Sequence, residues 1–104
     1  MHLTLKSYIA GIEQGTLKAH DVIDYYIQKA ERENPSYNAF LRFHKDYIQK
    51  SIHEFESLPL HAAPIGIKDI ILTKDYISSC ASKMLEDFVS PYSATCFENL
   101  EKHG

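Results

Sequence analysis

The 104-residue sequence has no tryptophan, two cysteines, and only four glycines and four prolines. So little glycine and proline excludes collagen-like and low-complexity chains. No apolar stretch approaches the roughly 18 residues that a membrane-spanning helix needs, and the first residues lack the pattern of a secretory signal. We therefore expect a cytoplasmic protein with no membrane contact, in which Cys80 and Cys96 are free thiols.

The charge is nearly balanced, because 11 Lys and Arg stand against 14 Asp and Glu and leave a formal net charge of −3. No run of like charges is long enough to bind a phosphate backbone, which excludes a nucleic-acid clamp. Hydrophobic residues make up 44% of the chain, enough for a core with little surplus stability. These proportions predict one soluble domain at most.

Apolar residues that recur at the helical period predict four helices, over about 4–14, 19–33, 45–56 and 94–103. The second pattern is the clearest, with acidic residues early, basic residues late, and Asn34-Pro35 to close it. Its start is weak, because Lys18 or Ala19 occupies the position where a capping Ser, Thr, Asp or Asn is preferred.

Two segments have the composition of β-strands. Residues 37–43 are rich in aromatics and alternate in part, and residues 65–72 form a β-branched run interrupted by Lys68-Asp69. A strand that is covered on both faces needs neighbouring strands, and the chain offers only these two. The predicted fold class is therefore α/β, with helices packed on a mixed sheet that is incomplete here. We expect a longer native chain that continues past Gly104.

Lys68 is the strongest local candidate for chemistry. In a strand, Gly66, Lys68 and Ile70 would share one face and Asp69 the other, so Asp69 would not neutralise Lys68. A lysine among isoleucines, with room beside a glycine, is a candidate for a desolvated amine whose pKa falls below about 10.4 and that acts as a general base. The alternative, which composition alone favours, is that Lys68 and Asp69 mark the exposed end of a strand.

The other reactive side chains show no arrangement typical of a site. The six histidines lack metal-ligand spacing, so we expect no metal site. Ser78, Ser79 and Ser82 flank Cys80 without a base at a known distance. This arrangement favours turn formation and backbone hydrogen bonding over a nucleophilic role.

Several motifs resemble the amidase-signature family. They are PIGIKD at residues 64–69, Thr73-Lys74, SCASKMLEDFV at residues 79–89 and PYSAT at residues 91–95. The first is typical of the whole family, whereas CASKML is more specific to its tRNA-dependent amidotransferases. The resemblance extends over essentially the whole chain, and it implies that residues 1–104 are the N-terminal fragment of a single amidase domain.

The resemblance implies an amide hydrolase with a serine nucleophile, a second bridging serine and a lysine. Lys68 matches the lysine, and Gly66 and Asp69 are supporting residues. In the amidotransferase branch it implies hydrolysis of glutamine to glutamate and ammonia, which a partner protein uses to amidate Glu-tRNA(Gln) or Asp-tRNA(Asn) with ATP and magnesium. The implied partners are the B and C subunits of a heterotrimer, with tRNA bound through the B subunit and no cofactor bound by this chain.

The chain departs from the family pattern at several positions. Both family serines lie downstream, so we expect them to be absent from these 104 residues and the piece to be inactive alone. Ile70 stands where the family usually has Asn, and Ser90 stands where Pro is common. Asp75 stands where Gly is common, and this substitution predicts backbone strain if the position requires a positive φ. Two alternatives stay open: an amidase-signature hydrolase of other amides, and a short non-catalytic chain that binds partners.

Overall fold

The computed structural model describes all 104 residues, which form two compact units. One unit comprises residues 1–64 with Gly104, and the other comprises residues 65–103. The helices are α1 (Leu5–Glu13), α2 (Ala19–Tyr37) and α3 (Lys45–Phe55) in the first unit, and a 3-10 turn (Lys83–Leu85) and α4 (Thr95–His103) in the second. No helix combines the length and the hydrophobicity that crossing a bilayer requires. The assignment of residues 1–104 to one domain stays a prediction.

A capping box starts α1. Thr4 Oγ1 accepts a hydrogen bond from the Ser7 N–H at 3.1 Å, and Ser7 Oγ accepts one from the Thr4 N–H at 2.9 Å. These bonds satisfy two backbone donors that a helix start leaves unpaired. On the buried side of α1, the Tyr8 hydroxyl donates to the His61 carbonyl oxygen at 2.6 Å, and burial raises the pKa of Tyr8.

The longest helix, α2, runs past its predicted end at Glu33 and through Pro35 to Tyr37. It ends at Asn38, whose φ of 50° is left-handed and whose N–H donates to the Asn34 carbonyl at 2.7 Å. Asparagine tolerates this conformation better than most residues, so Asn38 serves as the stop signal in place of Asn34-Pro35. The other three helices begin and end within one residue of their predicted bounds.

At the start of α2, Lys18 forms no side-chain hydrogen bond with the first turn. Replacing Lys18 with serine is expected to raise the free energy of unfolding by about 1 kcal/mol, because a serine oxygen accepts a hydrogen bond from an N–H of that turn. Urea denaturation followed by circular dichroism measures the change. The control is Lys18→Ala, which removes the same charge without adding an acceptor. Equal stabilisation by both variants would contradict the capping argument.

The hydrophobic core of the first unit is built from α2, α3 and the loop that follows α3. Its buried members are Ala19, Ile23, Ile52 and Ala62, and four partly buried residues pack against them: Ile12, Ile27, Ile48 and Phe55. The isoleucines and Phe55 fall on the apolar stripes that the helical period predicts, whereas Ala62 lies in the loop. An ion pair between Glu31 and Lys45 lies on the surface, where such pairs contribute little to stability.

The strands predicted over residues 37–43 and 65–72 are not formed. The first segment is the end of α2 followed by irregular chain, and the second is irregular until a turn in which the Ile71 N–H donates to the Lys68 carbonyl at 2.9 Å. Ile77 and Val89 form an isolated antiparallel β-bridge. A strand depends on hydrogen bonds to a neighbouring strand, which a β-branched sequence pattern does not itself supply. The mixed sheet is therefore not present in these 104 residues.

Candidate functional site

Lys68 lies at the first position of the turn Lys68–Ile71 and is exposed. The desolvated setting predicted for it is not present in this structure, since Ile65 is 48% exposed and Ile70 is 60% exposed. The predicted strand would have packed these isoleucines against neighbouring strands, and no such strand is here. Gly66 precedes Lys68 in irregular chain and is also exposed. The roles of Lys68 and Gly66 stay predictions.

Asp69 turns its side chain onto the loop that begins at Ser79. Its Oδ1 accepts a hydrogen bond from the Ser79 N–H at 3.1 Å, and its Oδ2 accepts from the Ser79 hydroxyl at 2.5 Å and the Ala81 N–H at 3.4 Å. A fourth bond runs from the Cys80 N–H to the Asp69 carbonyl oxygen at 3.2 Å. Hydrogen bonds to a carboxylate are stronger than those between neutral groups, so this connection between the two segments is firm.

The loop that Asp69 holds is a strained turn. Cys80 and Ala81 have consecutive positive φ angles of 51° and 56°, and the Ser82 N–H donates to the Ser79 carbonyl at 2.8 Å. Positive φ angles at two central residues are the mark of a type I′ turn, in which glycine and asparagine are preferred. Side chains with a Cβ adopt this conformation at a cost of about 1 kcal/mol or more per residue. The Asp69 bonds offset that cost.

A second pair of segments meets farther along the same unit. The Asp75 N–H donates to the Ser90 carbonyl at 2.9 Å, and the Ser90 N–H donates to the Tyr76 carbonyl at 3.1 Å. Ser90 is fully buried, and a proline there would lack the N–H that bonds to Tyr76. Asp75 has a φ of 66°, so the turn does require the positive angle that glycine adopts more easily.

The hydroxyl of Ser78 acts on the backbone, as predicted, whereas that of Ser79 donates to a side chain. Ser78 is buried and its hydroxyl oxygen accepts from the Thr73 N–H at 3.2 Å, while Ser79 bonds to Asp69. Cys80 and Cys96 are free and exposed. The structure brings together no group of three His, Cys, Asp or Glu side chains able to hold a metal ion.

The link between Asp69 and Ser79 is the feature of this site that the sequence did not predict. The two residues are ten positions apart, and neither helical nor strand periodicity pairs them. The sequence feature that could have indicated this link is an aspartate followed by a loop rich in serine, because aspartate and serine side chains often bond to nearby backbone. That signal does not name the partner.

Comparison with known proteins places these features in a family. The model of the amidase family matches residues 21–104, which include Lys68, Asp69 and the Ser79 turn. The A subunit of the glutamyl-tRNA(Gln) amidotransferase of Natranaerobius thermophilus is 34% identical over 110 residues, which cover 98% of this chain and 22% of that protein. The corresponding A subunit of Coxiella burnetii is 32% identical over 96 residues, which cover 86% of this chain and 20% of that protein.

A third relative is the second A subunit of the glutamyl-tRNA(Gln) amidotransferase of Clostridium acetobutylicum, which is 32% identical over 109 residues. The match covers 97% of this chain and 23% of that protein. The chain thus spans about a fifth of the length of the curated relatives that it matches. On the match over residues 21–104, the chain belongs to the amidase family.

Proposed function

We propose that this chain is part of the glutamine-hydrolysing subunit of a tRNA-dependent amidotransferase. The observation that carries the proposal is that relatives matching 86–98% of the chain at 32–34% identity are named as the A subunit of glutamyl-tRNA(Gln) amidotransferase. The matched residues include the PIGIKD and CASKML motifs. In this proposal the nucleophilic and bridging serines come from the part of the amidase domain beyond these 104 residues, which alone are inactive.

Lys68 is the general base of the proposed reaction. Its neutral amine accepts the proton of the nucleophilic serine through the bridging serine, while the serine oxygen attacks the side-chain amide carbon of glutamine. Hydrogen-bond donors stabilise the tetrahedral oxyanion. The C–N bond then breaks, the returned proton leaves with ammonia, and water hydrolyses the γ-glutamyl ester to glutamate. The exposure of Lys68 supports a role for the rest of the domain, because packing of that remainder over the face that carries Lys68 and Ile70 would remove water from the amine.

The mixed sheet belongs to the same proposal. Ile65, Gly66 and Ile67 precede Lys68 without a ladder partner, and the two β-branched isoleucines suit a strand. We infer that this segment pairs with strands elsewhere in the complete amidase domain, in a fold of the α/β class. Helices packed on a face of that sheet would also cover the exposed side chain of Ile65.

The proposed partners are the B and C subunits, in a cytoplasmic complex. Ammonia passes to the B subunit, which binds the misacylated tRNA and uses ATP and magnesium to amidate it. A net charge of −3 does not favour the binding of a phosphate backbone by this chain. The charge therefore supports tRNA binding by the partner in place of this chain.

The test is ammonia release by the native polypeptide that carries this sequence, purified with its partners. We expect hydrolysis of glutamine in preference to a simple amide such as propionamide, and transfer of the ammonia to Glu-tRNA(Gln) or Asp-tRNA(Asn) when ATP and magnesium are present. Preferred hydrolysis of propionamide without tRNA would favour a different amidase-family hydrolase. A folded polypeptide that hydrolyses neither compound would favour a non-catalytic role in partner binding.

A further inference from the structure

We propose that Asp69 is a positioning residue for Lys68, because its carboxylate ties the turn that carries Lys68 to the strained turn at residues 79–82. The inference rests on the proposed role of Lys68 in glutamine hydrolysis and adds a second residue to that site. We call the four hydrogen bonds between Asp69 and residues 79–81 the aspartate clamp.

The first step of the argument is the position of the clamp in the chain. Asp69 directly follows Lys68, and both its carboxylate and its carbonyl oxygen are held by the opposite loop. The Lys68 carbonyl is itself bonded to the Ile71 N–H at 2.9 Å. With the backbone held on the C-terminal side of Lys68, the range of directions open to its Cα–Cβ bond is narrowed. A flexible four-carbon side chain then starts from a defined point.

The second step concerns charge. A carboxylate next to a lysine can pair with the ammonium group, and such a pair favours the protonated lysine, which is useless as a base. Here the Asp69 oxygens bond instead to the N–H and hydroxyl of Ser79 and to the N–H of Ala81. No ion pair of the structure includes Lys68. The clamp thus engages the Asp69 carboxylate with the Ser79 turn, and not in an ion pair with the amine that the reaction uses.

The third step is the strain in the opposite turn. Cys80 and Ala81 are both left-handed, and successive backbone N–H groups in such turns form a concave site for an anion. Here the N–H groups of Ser79 and Ala81 donate to the Asp69 carboxylate and that of Cys80 to the Asp69 carbonyl oxygen, and Ser79 is only 7% exposed. Loss of the carboxylate removes the interaction that offsets the strain, so the turn relaxes and releases Lys68 with it. A shift of about 1 Å at a reacting group lowers a rate by about 100-fold.

Glutamine hydrolysis by the native polypeptide tests the clamp through a series of variants. Asp69→Ala is expected to lower kcat by about 100-fold and to leave KM within about threefold. Asp69→Asn should lower kcat less than Asp69→Ala does, since the side-chain oxygen of the asparagine can still accept a hydrogen bond from the Ser79 N–H. Because both partners act through one contact, adding Ser79→Ala to Asp69→Ala should cause no further loss. The matched control is Asp87→Ala, an exposed aspartate of the same unit, with unchanged kinetics.

Cys80 reports on the turn independently of catalysis. It is exposed within the clamped turn, whereas the exposed Cys96 lies outside it and serves as an internal reference. Asp69→Ala is expected to change the rate of Cys80 alkylation by iodoacetamide by about threefold or more relative to Cys96, because thiol reactivity follows its surroundings. Circular dichroism checks that the helices are retained. A changed Cys80 rate with unchanged kcat would overturn the positioning role, and so would an unchanged Cys80 rate.

A wild-type polypeptide that hydrolyses no amide would refute the proposed function without deciding the clamp. In that case the acetylation rate of Lys68, measured by mass spectrometry relative to the exposed Lys102, takes the place of kcat. A relative change of about threefold or more in Asp69→Ala supports control of the Lys68 side chain by Asp69. Equal relative rates in wild type and variant would overturn it.

Discussion

Lys68→Ala in the native polypeptide is expected to lower kcat for glutamine hydrolysis by about 10⁴-fold, the upper range for a general base. The alanine has no group to accept the proton of the nucleophilic serine, so the oxygen attacks as a hydroxyl. KM should change little, because the lost interaction belongs to the transition state and not to the binding of glutamine. Ammonia release under saturating glutamine measures the effect.

Two further variants separate the proton-accepting role from other roles of a lysine. Lys68→Arg keeps a positive charge but carries a guanidinium that does not act as a base at neutral pH, so it should be about as inactive as Lys68→Ala. Lys102→Ala removes another exposed lysine and should leave the rate unchanged. Co-purification of the partner subunits should be unaffected by all three. Activity of Lys68→Ala within a few-fold of wild type would remove Lys68 from the mechanism.

The way in which Lys68 was found marks the limit of sequence reasoning at this site. The local argument required a buried strand, but the structure has an exposed turn at that position. Burial in a strand depends on neighbouring strands, which the other segments of this chain do not provide. The proposed role of Lys68 rests instead on the PIGIKD motif, because a family motif is independent of how much of the fold is present.

The helices could be predicted because their hydrogen bonds lie within one segment of the chain. Each helical hydrogen bond joins residues four apart, so period and caps within one segment were sufficient to place α1, α3 and α4 within one residue. The end of α2 was misplaced because Asn34-Pro35 is a strong local stop, and Asn38 provided a later one. The aspartate clamp was not predicted, since it joins two irregular segments whose conformations depend on each other.

Ile23→Ala is expected to lower the free energy of unfolding by about 3 kcal/mol, within the range for removing a large aliphatic side chain from a core. Ile23 is 4% exposed and packs with Ala19, Ile52 and Ala62. Two of these neighbours are alanines, which are too small to fill the space that the isoleucine leaves. The loss is a large fraction of the total stability of about 5–15 kcal/mol that is usual for a domain. Urea denaturation followed by circular dichroism measures it.

The matched control for Ile23→Ala is Leu5→Ala in α1 of the same unit. Leu5 is 52% exposed, so truncating its side chain removes a similar number of carbon atoms without opening a cavity. We expect a change within about 0.5 kcal/mol. If Ile23→Ala destabilised the protein no more than Leu5→Ala, α2 and α3 would not share a packed core. A large difference between the two variants would instead show that the stability of the first unit resides in the stripe of isoleucines that the sequence pattern predicts.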